Sequence, residues 1–142
     1  MTLPEPTPGL VICYSYLWHV EHKAGLDEGR KDRPCAIVVA RMDEAGDISV
    51  LVVPITHTQP AADRHPVKLP LSVKRRLGLD EAPSWIVTDQ LNQFTWPGYD
   101  LRPISRRAPD RFHYGYLPTE LFDAVKKAIR MNATTMRRVR RQ

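Results

Sequence analysis

The feature that most constrains this chain is an apolar run directly behind an Arg-Pro pair: Arg33-Pro34-Cys35-Ala36-Ile37-Val38-Val39-Ala40. A strand with one face in water alternates polar and apolar residues, and this one does not. An unbroken run rich in β-branched residues reads as a strand buried on both faces. Pro34 has no N–H to give to a ladder, which suits the first position of such a strand. The segment before it, Glu21 to Asp32, is charged and carries Gly25 and Gly29, so it reads as a long loop. Arg33 therefore stands where a rigid strand meets that loop. A guanidinium held there can fork onto a phosphate.

A second apolar run, Val50-Leu51-Val52-Val53-Pro54-Ile55, ends in the polar group Thr56-His57-Thr58. Between the two runs Arg41 to Asp47 forms a turn around Gly46, so Cys35–Ala40 and Ile48–Val53 are predicted to pair as a hairpin. Gly9 to Tyr14 reads as a first strand, Val67 to Leu69 as a short one and Trp85 to Thr88 as a further buried one. Asn92 to Gly98 leads into a loop, and 102–114 is loop-like. Pro70 to Gly78 fits one or two helical turns with Gly78 as the stop. Pro118-Thr119-Glu120 starts a second helix, with Leu121, Phe122, Val125, Ala128 and Ile129 on one face and its end near Asn132. Short, mostly antiparallel strands with a terminal helix predict a mainly β (α+β) domain: a small, strongly bent sheet or barrel packed by a C-terminal helix.

The chain has 142 residues, 42% of them hydrophobic, enough for one domain with its own core. We assign residues 1–132 to that domain and 133–142 to a basic C-terminal tail. From residue 126 onward there are seven basic side chains and no acid, while the remainder holds 14 basic and 16 acidic ones. The whole net charge of +5 thus arises at the C-terminus, where a basic arm attracts nucleic acid or another polyanion. No apolar stretch approaches 18 residues, and Met1 to Pro6 lacks the basic region and apolar core of a secretion signal. Cys13 and Cys35 fall in strand-like runs and read as small reduced core residues. These features predict a cytoplasmic protein without a membrane span.

The motifs resemble those of the MazF/PemK (Kid-like) family of toxin endoribonucleases. That family carries Arg-Pro before an apolar strand, then a strand ending in Pro-X-Thr or Pro-X-Ser, then an acidic residue followed by Gln after a buried strand. Here Arg33-Pro34, Pro54-Ile55-Thr56 and Asp89-Gln90 occur in that order. The resemblance implies an SH3-like barrel with a C-terminal helix and a two-fold dimer with RNA in a groove. It implies a cognate antitoxin with an acidic C-terminal segment. It also implies metal-independent and cofactor-free, sequence-selective cleavage of single-stranded RNA, in which the 2′-OH attacks the adjacent phosphate to leave a 2′,3′-cyclic phosphate. Arg33 would stabilise the phosphate's charge, Thr56 would hold a phosphate oxygen, and Glu28, in the loop, matches the family's candidate base. Asp89 and Gln90 match residues that contact RNA or orient the site. The family often has a phosphate-binding Arg two residues after this Gln, where this chain has Asn92, which the resemblance places among the RNA-contacting residues; the family's loop before Arg-Pro is shorter.

Two further residues are candidates on chemistry alone. His57 follows Thr56, and its imidazole is of a type that could act as base or acid, or bond to backbone at a strand end. Trp18 could stack a base, or pack in a core or dimer contact. His19 and His22 lack the paired spacing of a zinc site, and no metal is expected. A second reading keeps the barrel without the chemistry: a module that binds nucleic acid or a protein target, as the gyrase-binding CcdB family does.

Overall fold

The computed structural model describes residues 3–29 and 31–141. In chain order it comprises β1 (Leu10–Tyr14), α1 (His19–Lys23), β2 (Arg33–Met42), β3 (Ile48–Thr56), a 3₁₀ turn (Ala62–Arg64), β4 (Val67–Lys68), α2 (Leu71–Leu77), β5 (Trp85–Ile86), β6 (Gln90–Thr95), β7 (His113–Tyr116), α3 (Thr119–Met131) and β8 (Arg137–Arg140). Among the described residues the strands form one sheet in the order β4-β5-β3-β2-β1-β7, with β6 on β3 and β8 on β6. The sheet curls strongly into a half-barrel, with α3 as its C-terminal helix.

The β2–β3 hairpin is the spine. Cys35 pairs with Pro54, Ala36 with Val53 and Ile37 with Val52, and the register slips by one residue between Ile37 and Val39. Such a bulge bends the strand and adds twist. On its other edge β3 pairs with β6 over Ser49 to Val52 and with β5 over its last two residues.

Side chains then divide by parity, as a pleated strand requires. Val11, Ala36, Val38, Val53 and Ile55 face one core, beneath Val73 and Leu77 of α2 and Val125 of α3. Leu10, Ile12, Tyr14, Cys35, Ile37, Val50 and Val52 face a second core with Phe94. The Tyr14 and Phe94 rings stack there at 4.6 Å. Both faces of β1, of β2 from Cys35 to Val38 and of most of β3 from Val50 to Ile55 are therefore dry, which is why their sequences do not alternate. Cys13 and Cys35 are buried free thiols, and burial pushes both up from the ordinary thiol range. On α3, Val125 and Ala128 are buried, with Leu121, Phe122 and Ile129 packed beside them, as its periodicity predicts.

Four segments depart from the sequence reading, the first being the end of the loop-like stretch 102–114, where His113 and Tyr114 open β7. Residues 92–95 belong to β6 rather than leading into a loop, because Leu91 and Phe94 enter the two cores from opposite faces. The long loop before Arg33 opens with the five-residue helix α1. The basic stretch beyond residue 136 is a strand, β8, parallel to β6 with Leu91 opposite Arg138 and Asn92 opposite Val139. Val139, 1% exposed, supplies its apolar contact, while Arg137, Arg138 and Arg140 face water.

Arg141 follows β8 and folds inward. Its guanidinium pairs with Asp100 at 2.9 Å and donates to the Ser15 carbonyl at 2.8 Å and Asn92 Oδ1 at 3.0 Å. It also lies 5.5 Å from the Tyr14 ring centroid. At 2% side-chain exposure this is a buried ion pair, and removing one partner of such a pair typically costs about 3–5 kcal/mol. Arg102 stands 3.7 Å from Asp100 and partly replaces the lost charge. Arg141→Ala should therefore destabilise the fold by about 3 kcal/mol in urea unfolding, at the low end of that range. Adding Asp100→Asn to that variant should cost much less than the same change made in the parent chain.

Candidate active site

Continuing the β2–β3 register two residues past Cys35 and Pro54 sets Arg33 level with Thr56. Arg33 also pairs with Tyr14 of β1, and Thr56 with Trp85 of β5. Both side chains thus stand on rigid strands at one rim of the half-barrel. The Arg33 guanidinium carbon lies 4.9 Å from the centroid of the Trp18 ring. Stacking of this kind fixes the plane of the guanidinium and leaves its edge free. Arg33 Nε is buried and has no acceptor among the described residues, and no described carboxylate pairs with the group. Thr56 Oγ1 accepts from the Thr58 N–H at 3.2 Å, which leaves its own hydrogen free to donate.

These groups line an open groove of about 400 Å³ together with Trp18, Lys31, His57 and Arg64. Lys31, Arg33 and His57 also border a smaller cavity of about 190 Å³ that reaches Lys74, Asp80 and Ser84. The rim presents cationic side chains, a hydroxyl, an imidazole and an indole. That set can bind a phosphodiester through charge and a base through stacking.

Much of the geometry is set from beneath by β6. Gln90 Oε1 accepts from the His19 N–H at 3.0 Å and the Tyr16 hydroxyl at 3.2 Å. Asn92 accepts from the Leu17 N–H at 2.9 Å and donates to the Leu17 carbonyl at 2.8 Å. Residues 17–19 are thereby tied down on both sides of Trp18. The Trp18 N–H donates to Glu21 Oε1, which caps α1 and fixes the chain's exit.

Asp89 receives Arg64 through two hydrogen bonds, at 2.6 and 2.9 Å. The turn that carries Arg64 is itself held: Asn132, at the end of α3, donates to the Arg64 carbonyl and to Thr88 Oγ1, and Thr88 donates to the His65 carbonyl. Asp89 raises the already high pKa of Arg64, so this guanidinium stays charged.

These contacts correct one sequence expectation. Asn92 is fully buried, with its amide spent on Leu17 and Arg141, so it cannot touch RNA. The arginine that the resemblance leads one to expect at that position arrives from the other end of the chain as Arg141. It is neutralised by Asp100 and adds no charge to the groove. Asp89 and Gln90 do not line the groove, but their hydrogen bonds hold two groups that do, Arg64 and the Trp18 loop. Glu28 is exposed on the loop before β2 and does not line the groove. Trp85 is only half-buried and lies under Lys68, at 5.8 Å, rather than deep in a core.

His57 lies beside Thr56, with Nε2 3.0 Å from Asp80 Oδ2 and 3.1 Å from Oδ1. Lys74 of α2, 3% exposed, reaches the same carboxylate at 2.8 Å and also donates to Ser84 Oγ and the Ala82 carbonyl. Gly78 makes this return possible. It caps α2 in the left-handed conformation, φ +75°, and turns the chain so that Asp80 comes back over the helix. The sequence marked Gly78 as a stop but gave no sign that the stop joins Lys74 to His57. Arg64 and Lys31 were likewise not singled out, since each reads locally as a polar loop residue.

Among the described residues no group of three or more His, Cys, Asp or Glu side chains could hold a metal ion. No helix among them is long and apolar enough to cross a membrane. One family model matches the chain over residues 16–132, described as a PemK-like, MazF-like toxin of type II toxin-antitoxin systems. Comparison with curated proteins finds no match. The matched span takes in Arg33, Thr56 and the acidic-Gln pair and ends before β8.

The Lys74 hydrogen bond holds the Asp80 carboxyl below its ordinary range, with His57 helping and partial desolvation opposing. A carboxylate depressed in the folded state adds stability above its unfolded pKa and loses it as pH falls through the folded one. Asp80→Asn should therefore lower the urea midpoint at neutral pH, and the gap to the parent should close as pH drops below the carboxylate range. More than half of the Asp80 side chain is exposed, so the gap should be small.

Proposed function

The chain belongs to the PemK-like, MazF-like toxin family of type II toxin-antitoxin systems, a membership that implies an antitoxin partner, and we propose that it is a metal-independent endoribonuclease. The reaction cleaves single-stranded RNA by attack of a 2′-OH on the adjacent phosphate, giving a 2′,3′-cyclic phosphate and a free 5′-OH. The observation that carries this reading is the Arg33 guanidinium, clamped on Trp18, without a carboxylate partner among the described residues, level with the Thr56 hydroxyl. A structural arginine with its Nε buried would be expected to have that donor filled, as the buried guanidinium of Arg141 has its own.

In this reading Arg33 binds the scissile phosphate and stabilises the charge that builds on it during attack. It is charged at every relevant pH, and its fork can span two oxygens. Thr56 donates to one of those oxygens. Lys31 adds positive charge along the groove, and Trp18 lines it where a flanking base could pack. Family members act as two-fold dimers, and we extend that assembly to this chain. Exposed Val39, Met42 and Tyr99 leave apolar surface for a partner.

Arg33→Ala should lower cleavage by about 10²–10³-fold, the usual loss for one charge-stabilising donor. Arg33→Lys should recover little of it, since an ammonium cannot fork. Thr56→Ala should be milder. Cleavage should persist in excess EDTA and leave cyclic phosphate ends. Purified protein that cuts none of a random-sequence RNA pool, or an Arg33→Ala variant as active as the parent, would exclude the nuclease. A barrel that binds nucleic acid or a protein target without chemistry would then stand in its place.

A further inference from the structure

We propose that His57 is the general base of the cleavage reaction and that Asp80 is its positioning residue. This assignment rests on the ribonuclease reading above and names the group that takes the proton of the 2′-OH.

The groove holds few candidates for that task. Arg33, Lys31 and Arg64 are protonated donors, the Thr56 hydroxyl is a poor base, and Glu28 stands outside. His57 brings to the groove an imidazole, a side chain whose ring nitrogens can both accept and donate a proton. Its geometry is also set. An ionised carboxylate only accepts hydrogen bonds, so contact with Asp80 places the imidazole proton on Nε2 and leaves the lone pair on Nδ1. Asp80 in turn is held by Lys74 at 2.8 Å and by the Ala82 N–H at 3.1 Å. The chain thus runs from a buried ammonium through a fixed carboxylate to an imidazole at the mouth of the groove. The nucleophile–base–orienter logic of acyl-transfer triads is the same, with the 2′-OH of RNA as the nucleophile.

As a surface ion pair the arrangement would add little to folding, because the His57 and Asp80 side chains are 55% and 58% exposed. A lysine with 3% exposure is costly to bury, and its investment is explained if the carboxylate must not move. The charged groups facing His57 are Asp80 and Lys74 from the α2 side, Lys31, Asp32 and Arg33 from the start of β2, and Arg64 from the 3₁₀ turn.

The step balances as follows. The 2′-OH proton passes to His57 Nδ1 as the O2′–P bond forms. The P–O5′ bond breaks, its electron pair stays on the 5′-oxygen, and that oxygen takes a proton from water. The imidazolium then returns its proton to solvent.

The test uses the RNA that the parent protein cuts fastest in a random pool, and its analogue with a 2′-deoxy sugar at the cut site. General bases contribute about 10²–10⁴-fold, so His57→Ala should cut at least about 100-fold more slowly. It should bind the deoxy analogue as the parent does and lose the rise in rate with pH that marks a base becoming neutral. Imidazole added to the buffer should restore part of its rate. Asp80→Asn should show a smaller loss with unchanged binding, and Asp80→Glu should recover activity. Circular dichroism checks that each variant is folded. A parent that cuts RNA while His57→Ala keeps its rate and pH profile overturns the assignment of the base and leaves the ribonuclease intact. So does a rate loss that merely follows lost binding and ignores imidazole. A parent that cuts no RNA overturns the ribonuclease reading itself.

Discussion

Everything at the rim depends on the pairing of β2 with β3 between two dry cores. A strand with one buried face can slip by two residues and still bury that face. A strand buried on both faces, with Ala36, Val38, Val53 and Ile55 on one side and Cys35, Ile37, Val50 and Val52 on the other, fills two sets of packing sites at once. A slip of one residue exchanges the sets, and a slip of two misfits sizes in both. The register that brings Arg33 level with Thr56 is therefore enforced along the strands, several residues from the rim. The same pairing brings His57 to the groove, since it directly follows Thr56.

A second layer of control is polar. Gln90 and Asn92 project from β6 to opposite neighbours of Trp18, and Arg141 closes the network from β8. Buried polar networks specify geometry because each member loses its hydrogen bonds if the backbone shifts. Here the geometry so specified is the loop that carries the Trp18 ring under Arg33. Asp89 does the equivalent for Arg64 on the other side. The acidic-Gln pair thus braces two walls of the groove, Arg64 and the Trp18 loop, from outside its lining, in keeping with the small exposure of Asp89's carboxylate.

The sequence revealed what depends on local pattern. Unbroken apolar runs marked β2 and β3, the Gly46 turn joined them, and the 3.6-residue period of Leu121 to Ile129 gave α3. What it hid depends on partners distant in the chain. Asn92 reads as a lost arginine until Arg141, 49 residues on, is seen beside it. Residues 92–95 look like a loop entrance because the polar side chains of Asn92 and Gln93 find their partners far off in the chain, in Leu17, Ser49, Arg138 and Arg141. The strand character of Arg137–Arg140 is masked by charge: three arginines flank one valine, and that valine alone is buried. The Lys74–Asp80–His57 chain was invisible for the same reason, since it needs the turn at Gly78 and the approach of β3 together.

Composition places the positive excess at the C-terminus, but the fold redistributes it. Arg141 is spent on Asp100, Arg64 on Asp89 and Arg75 on Glu81, while Arg102 lies between Asp32 and Asp100. Neutralised pairs of this kind contribute little beyond a Debye length of about 8–10 Å. What remains at the groove is the charge of Arg33 and Lys31, held where an anion could reach it and without a carboxylate partner among the described residues. Arg137, Arg138 and Arg140 line an outer edge that begins beside Asp89, whose carbonyl accepts the Arg137 N–H at 3.0 Å. Among the described residues the local field at the groove is thus set by Arg33, held on β2, and by Lys31 in the loop just before it.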